Sequence, residues 1–189
     1  MKFALTAALV ALVCAGSAFA APLKLSPANP QPSGVKPGLS VTYAYPDEDI
    51  KTLADASAAL KAKSERGAPL AGLDHRDTNE GDLTMTSKRA LNVAAHITGY
   101  VRFDAPGVYE IEFLTNDGLR ARIGGQVVGL FDGRQTCDTT PVVEVEVPVA
   151  GWYPFDTLYF QRLGTACLHM RWGPVGKKLS WTPNAAFGR

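Results

Sequence analysis

From Leu39 onward, apolar side chains recur at every second position in short runs separated by turn residues. Leu39, Val41, Tyr43 and Tyr45 form the first run. Ile97, Gly99, Val101 and Phe103 form the next, followed by Tyr109, Ile111 and Phe113 alternating with Glu110 and Glu112. Leu119, Ala121 and Ile123 alternate with Arg120 and Arg122, and Val127 to Phe131 follow the two-residue turn Gly124-Gly125. Val143, Val145 and Val147 alternate with Glu144 and Glu146, and the stretches Trp152–Gln161 and Ala166–Trp172 complete the series. A period of two places one face of each run in a core and the other in water. Short strands at even spacing, with Ala105-Pro106-Gly107 and Asn116-Asp117-Gly118 turning the chain between them, predict a sandwich or barrel. One segment breaks the period. Ile50, Leu53 and Leu60 recur at helical spacing after the acidic caps of Pro46–Asp49, which predicts one helix reaching to Gly67. Residues 67–90 are polar and rich in turn formers, so they read as a long loop with at most a short strand.

Two segments precede this pattern. In residues 1–20 Lys2 is the only charge, an apolar run from Phe3 to Cys14 follows, and Ala18-Phe19-Ala20 closes the stretch. That layout predicts a secretory signal cleaved after Ala20, because a dozen apolar residues fall short of the roughly 20 that span a bilayer. Residues 21–37 carry Pro22, Pro27, Pro30, Pro32 and Pro37, whose missing donors exclude helix and central strand. They read as an extended leader or tether. The organisation is therefore a signal peptide at 1–20, a Pro-rich leader at 21–37 and one domain at 38–189. The expected location is secreted or periplasmic.

Removing 20 residues from 189 leaves 169, enough for one domain with a full core. The mature chain keeps all 18 acids and loses one base, so its net charge is zero. That balance gives no reason to expect nucleic acid as a partner, and no later stretch suits membrane insertion. Cys137 and Cys167 remain, and two thiols in an exported chain read as one disulfide. Such a bridge would pin the loop before Cys137 to the last long strand.

Several phrases in order carry a resemblance. They are Gly99-Tyr100-Val101, Pro106-Gly107 with Tyr109, Thr115-Asn116-Asp117-Gly118-Leu119-Arg120, Ile123-Gly124-Gly125 with Val127-Val128, Ala150-Gly151-Trp152-Tyr153-Pro154, and Leu168 with Met170 and Trp172. Gly38-Leu39 ahead of Tyr43 and Tyr45, and the closing Leu179-Ser180-Trp181, extend it. The series resembles the PA14 family, named after anthrax protective antigen, and covers nearly the whole chain after the leader. The resemblance implies an all-β sandwich with one short helix and loops gathered at one end, which in many members bind carbohydrate. Adhesin-type members use an Asp-Asp pair where this chain has Asn116-Asp117, and that pair chelates a calcium ion which also receives sugar hydroxyls. An Asn from a second loop adds a ligand, and Gln161 stands at that position. Asn116 keeps an oxygen but drops a charge, and Gln161 adds a flexible methylene. Three readings stay open: a weakly bound calcium ion held by Asn116, Asp117 and Gln161; sugar binding without metal; or a plain turn, which Asn-Asp-Gly makes well. The candidate ligand-binding set is Asn116, Asp117, Gln161, Arg162 and Gly164.

Other constellations read as structure. Glu110 with Glu112, and Glu144 with Glu146, lie two apart on strands and are expected to face solvent rather than serve as a glycosidase pair. Counting from Asp77, the acidic run Asp74–Asp82 has Asp82 and Lys88 where a calcium loop needs Gly and Glu, so it reads as a solvated loop. His169 is expected on the outer face beside Arg171. Trp172 shares a face with Leu168 and Met170 and reads as core, whereas Trp152 and Trp181 are more open to a binding role. No nucleophile, base and acid stand in a catalytic pattern. The expected function is a lectin-like or adhesive carbohydrate-binding module, not an enzyme. A structural domain that binds another protein is the alternative.

Overall fold

The computed structural model describes residues 21–189, so the expected signal segment 1–20 and its expected cleavage after Ala20 lie outside the described residues. In chain order the elements are β1 (Leu23–Lys24), β2 (Ser40–Ala44), α1 (Leu53–Ala62), β3 (Glu65–Arg66), β4 (Asp74–His75), β5 (Val93–Phe103), β6 (Gly107–Asn116) and β7 (Gly118–Ile123). They continue with β8 (Gln126–Phe131), β9 (Asp138–Thr139), β10 (Val143–Val147), β11 (Gly151–Gln161), β12 (Cys167–Pro174), β13 (Ser180–Trp181) and β14 (Phe187–Gly188). One sheet runs β1-β10-β6-β12-β13, with β4 also on β12 and β9 on β6. The other runs β3-β2-β5-β11-β7-β8, with β14 on β5. Two sheets face each other, as the alternation predicts. Ile111, Phe113, Val145, Leu168 and Met170 from the first bury against Val41, Ile97, Val101, Tyr153, Phe155, Leu119 and Ile123 from the second. Phe103 is the aromatic hub at one end, its ring 5.3 Å from Tyr153 and 4.7 Å from Trp172. Trp172 packs against this core, as expected.

The helix is shorter than its pattern suggests. Its cap is Thr52, not the acidic residues of 46–49: Thr52 Oγ1 accepts from the Asp55 N–H at 3.1 Å and Asp55 Oδ2 accepts from the Thr52 N–H at 3.0 Å. It stops at Ala62 because Glu65 and Arg66 leave to pair with Tyr43 and Thr42 of β2. Sheet hydrogen bonds there replace the helical ones. Leu53 and Ala56 pack on Ala44, Ala94, Leu158 and Phe160, so α1 covers part of the outer face of the second sheet.

The leader is extended, as its prolines require, but it is a strap and not a free tether. β1 pairs in parallel with β10 and so forms the edge of the first sheet, and Leu25 is 1% exposed within the core. The Gln31 side chain both accepts from the Trp152 N–H at 2.7 Å and donates to the Trp152 carbonyl at 3.0 Å. Lys36 and Arg189 exchange backbone hydrogen bonds of 2.9 Å in each direction.

Two expectations about outward side chains need correction. His169 does point away from the core, but Trp181 and Asp74 cover it and leave it 4% exposed. The strands β13 and β4, invisible as runs of two residues, bring those covers. Glu112 is 6% exposed and pairs with Arg171 across β6 and β12, so it is not a solvent-facing carboxylate. Glu144 is exposed and Glu146 pairs with Lys24 at 3.3 Å on the surface. Cys137 and Cys167 form the expected disulfide, closing a separation of 30 residues with Cα atoms 5.8 Å apart.

Three outcomes follow from this packing. Leu25→Ala should cost about 2–5 kcal/mol in chemical denaturation, the range for a buried leucine, while Leu23→Ala at the exposed edge should cost far less; equal small losses would return the strap to a tether. Reducing the disulfide should lower stability by about 3–4 kcal/mol through the loop it closes, seen as a fall in Tm that Cys137→Ala reproduces in the absence of reductant. The third concerns pH. Burial, helped by nearby His169, pushes His75 below the ordinary histidine range, and burial does the same to His169. Both are held neutral in the fold, so their contribution is intact above about pH 6.5, the ordinary histidine value, and is lost as pH falls from there through their folded values. Stability measured from pH 7.5 to 5 should decline, and His75→Gln should flatten the decline.

Candidate functional site

β6 carries the chain to Asn116 and β7 begins at Gly118, so Asn116-Asp117 forms the tip where the chain crosses from one sheet to the other. Register decides what meets it there. Asn116 lies opposite Cys167 at the start of β12, and Gly118 lies opposite Phe160 near the end of β11. A Cβ on residue 118 would sit 2.2 Å from the Phe160 ring, so only glycine lets β7 start this close. The Asn116–Asp117 peptide is cis.

Asp117 ties this tip to two loops. Its N–H donates to the Phe160 carbonyl at 2.9 Å. One carboxylate oxygen accepts from the Gln135 N–H at 3.1 Å and the other from the Arg162 N–H at 2.7 Å. Residues on either side reinforce the join. Gln135 Nε2 donates to the carbonyls of Thr115 and Asp138, at 3.1 and 3.2 Å. Asn116 Nδ2 donates to Thr165 Oγ1 at 3.3 Å, and the buried Tyr159 hydroxyl donates to the Asn116 carbonyl. The disulfide anchors the 132–137 loop two residues beyond Gln135.

Between the two loops lies an open cleft of about 430 Å³. Of the residues singled out from the sequence, Asn116, Asp117, Arg162 and Gly164 line it. Gln161 does not. It is 0% exposed beneath the loop, and its Nε2 donates to the Thr165 carbonyl at 3.2 Å, shaping the turn from below. The Arg162 side chain swings out to form an ion pair with Asp49, so this residue contributes its backbone to the clasp. Arg134, Gln135, Thr136, Leu163 and Thr165 complete the lining. The 132–137 loop has no periodicity, so those first three residues stay hidden in the sequence, except that Cys137 ties them to β12. An apolar hollow of similar size, about 440 Å³, lies by Val35, Trp152 and Phe187. Trp152 lies at the start of β11 and Arg162 follows its last residue, so the two hollows sit at opposite ends of the sandwich.

The cleft's electrostatics centre on Asp117. Burial raises its carboxyl above the usual aspartate value, and the N–H groups of Arg162 and Gln135 with the nearby Arg162 and Arg134 charges only partly offset that. Asp117 is 5% exposed, so its charge is held at a cost to the fold. As a calcium cage the donor set is thin. Among the lining residues Asp117 is the single carboxylate, Gln161 Oε1 is buried without a partner but does not line the cleft, and the charges of Arg162 and Arg134 already act on Asp117. Calcium takes six to eight oxygens with their charge. These residues do not fit it. Among the described residues no group of three His, Cys, Asp or Glu side chains is placed to hold a metal.

The fold has known counterparts. The PA14 domain of an antifreeze protein, MpAFP, superposes with a TM-score of 0.70 at 14% identity, covering 83% of this chain and 93% of that one. A PA14 sugar-binding domain from an RTX adhesin superposes at 0.63 with 17% identity, covering 80% and 98%. A subtype-switched epithelial adhesin 9 A domain from Candida glabrata, solved with β-lactose, superposes at 0.66 with 15% identity, covering 86% and 92%. At such identities the likeness speaks to the fold. Among curated proteins none matches the sequence. The sequence profile of the PA14 domain matches residues 36–185, which is most of the chain from the end of the strap to the last turn, and the chain therefore belongs to the PA14 domain family.

Proposed function

We propose that this chain is an exported carbohydrate-binding module that holds a glycan in the loop-end cleft without a calcium ion. The observation that carries the reading is Asp117: a carboxylate kept in the cleft against its own desolvation, between two loops whose main chains it grips. A carboxylate perturbed by burial in a cleft is a candidate functional group. Sugars present paired hydroxyls that suit carboxylates, guanidinium groups and side-chain amides. Asp117 has lone pairs left to accept, Asn116 offers its side-chain oxygen, and Arg134, Gln135 and Thr136 stand on the facing rim. Leu163, 50% exposed, gives an apolar edge for the C–H face of a ring. The RTX adhesin domain is named as sugar-binding, and epithelial adhesin 9 was solved with Galβ1-3GlcNAc, which supports a glycan as the ligand class. The layout of residues 1–20 supports export. Among the described residues no helix is long and apolar enough to cross a membrane. An open, wet cleft of this kind should bind a monosaccharide at about millimolar Kd, near −4 kcal/mol, and adhesion would come from several copies or a multivalent glycan.

The test is a glycan array with the parent run in calcium and in chelator. Retention should be the same in both, and calcium should leave Tm unchanged. Arg134→Ala, at an exposed position outside the hydrogen-bonded clasp, should weaken retention about tenfold, as expected for a lost charged hydrogen bond. Asp117→Ala is the wrong probe for specificity, because the clasp makes it structural and the variant should lose Tm as well as binding. Glu144→Ala, exposed on the first sheet, should bind like the parent. Retention that requires calcium would restore a metal site. No retention of any glycan would leave a protein-interaction domain.

A further inference from the structure

α1 covers only part of the outer face of the second sheet. Beyond Ala56 the helix still packs Ala59 and Leu60 toward the sheet, and beside Leu60 a cavity of about 320 Å³ opens between helix and sheet. Register builds the floor. Thr42 on β2, His96 on β5, Leu158 on β11 and Arg120 on β7 lie in one row across four strands. Asp156 sits two residues along β11 on the same face, and Ser57, Leu60, Lys61 and Ser64 form the other wall.

The charges on these walls do not balance. His96 Nε2 and Asp156 Oδ2 are 2.6 Å apart, so the one carboxylate in the cavity is already engaged. Arg120 and Lys61 form no ion pair among the described residues. Arg120 is partly buried, and its Nε is enclosed by protein without an acceptor. Asp156, held by His96, feels the Arg120 charge without pairing directly with it, and a partly buried guanidinium prefers a planar or tetrahedral oxyanion that can take two of its N–H groups. Around it stand an ammonium and three hydroxyls, all able to donate. The volume lies at the small end of ligand pockets, about 300–1,000 Å³, and exceeds what a bare ion needs.

We infer that the cavity under α1 is an oxyanion site, taking a phosphate or sulfate group between Arg120 and Lys61 with the hydroxyls of Thr42, Ser57 and Ser64 as further donors. It shares no residue with the loop-end cleft, so it stands whether or not that cleft binds sugar. The group can arrive as the free ion or as an ester on a small sugar. Asp156 repels either one, and His96 screens that repulsion.

Titration calorimetry on the mature chain decides it, with sodium phosphate and sodium sulfate measured against sodium chloride at matched ionic strength. A saturable heat with the oxyanions and none with chloride is expected. Tm alone is a poor readout, because sulfate stabilises proteins generally by exclusion from their surfaces. Arg120→Gln and Lys61→Gln should each weaken binding about tenfold or more, while Arg102→Gln, paired with Asp104 elsewhere, should not. Glucose 6-phosphate and glucose 6-sulfate form the second arm: tighter binding than the inorganic ions assigns the site to an ester, equal binding to the free ion, and glucose alone should give no heat. If Arg120→Gln does not fold, by circular dichroism, the exposed Lys61→Gln carries the comparison alone. No saturable heat with any oxyanion, or parent-like binding by Lys61→Gln, overturns the assignment.

Discussion

The pairing of β6 with β12 is the contact on which the rest of the molecule depends. It faces Ile111 and Phe113 inward together with Met170 and Trp172, and so sets the first sheet's share of the core. The same eight-residue register ends with Asn116 beside Cys167. Core and site are therefore one decision. A slip of one residue would turn Phe113 to solvent and carry the disulfide away from the tip. The buried face makes that slip very unfavourable, and this fixes where the loops emerge.

With the sheets set, the two ends of the sandwich acquire different chemistry. At the Phe103 end, aromatic rings and the Gln31 clamp on Trp152 close the space between strap and sheet. At the Asp117 end, strands stop early and hydrogen bonds to main-chain groups take over from apolar burial. The contrast explains why two hollows of similar volume call for different readings. One is lined by Val35, Trp152 and Phe187, the other by a carboxylate, two arginines and amides.

The sandwich was legible because burial of one face forces a period of two, and long strands such as β5 and β11 repeat it often enough to be seen. Strands of two residues carry no period. Hence the sequence allows a short strand in 67–90 without placing β4, does not show β13, and gives no sign of the cover over His169 or the burial of His75. Glu112 misled for a related reason: alternation gives the side of a sheet, not what lies on that side, and Arg171 is fifty-nine positions away in the chain. The site divides in the same way. Asn116, Asp117, Arg162 and Gly164 sit in a turn phrase or its partner loop and could be named from sequence. Gln161 was one residue too early, on the last inward position of β11, where alternation already pointed it at the core. Arg134 to Thr136 had only Cys137 to announce them. The strap was misjudged because proline content speaks of backbone shape and says nothing of Leu25, a single apolar side chain that finds a place in the core.

Asp117 holds both rims of the cleft through backbone N–H groups, and the side chains of Gln135 and Arg162 are not what it grips. Backbone donors are the same for every residue but proline. Substitutions at 134, 136 and 163 therefore need not loosen the frame that presents them. Frame and lining are thus separable: backbone groups set the distance between the rims, and the side chains along them can change without moving it.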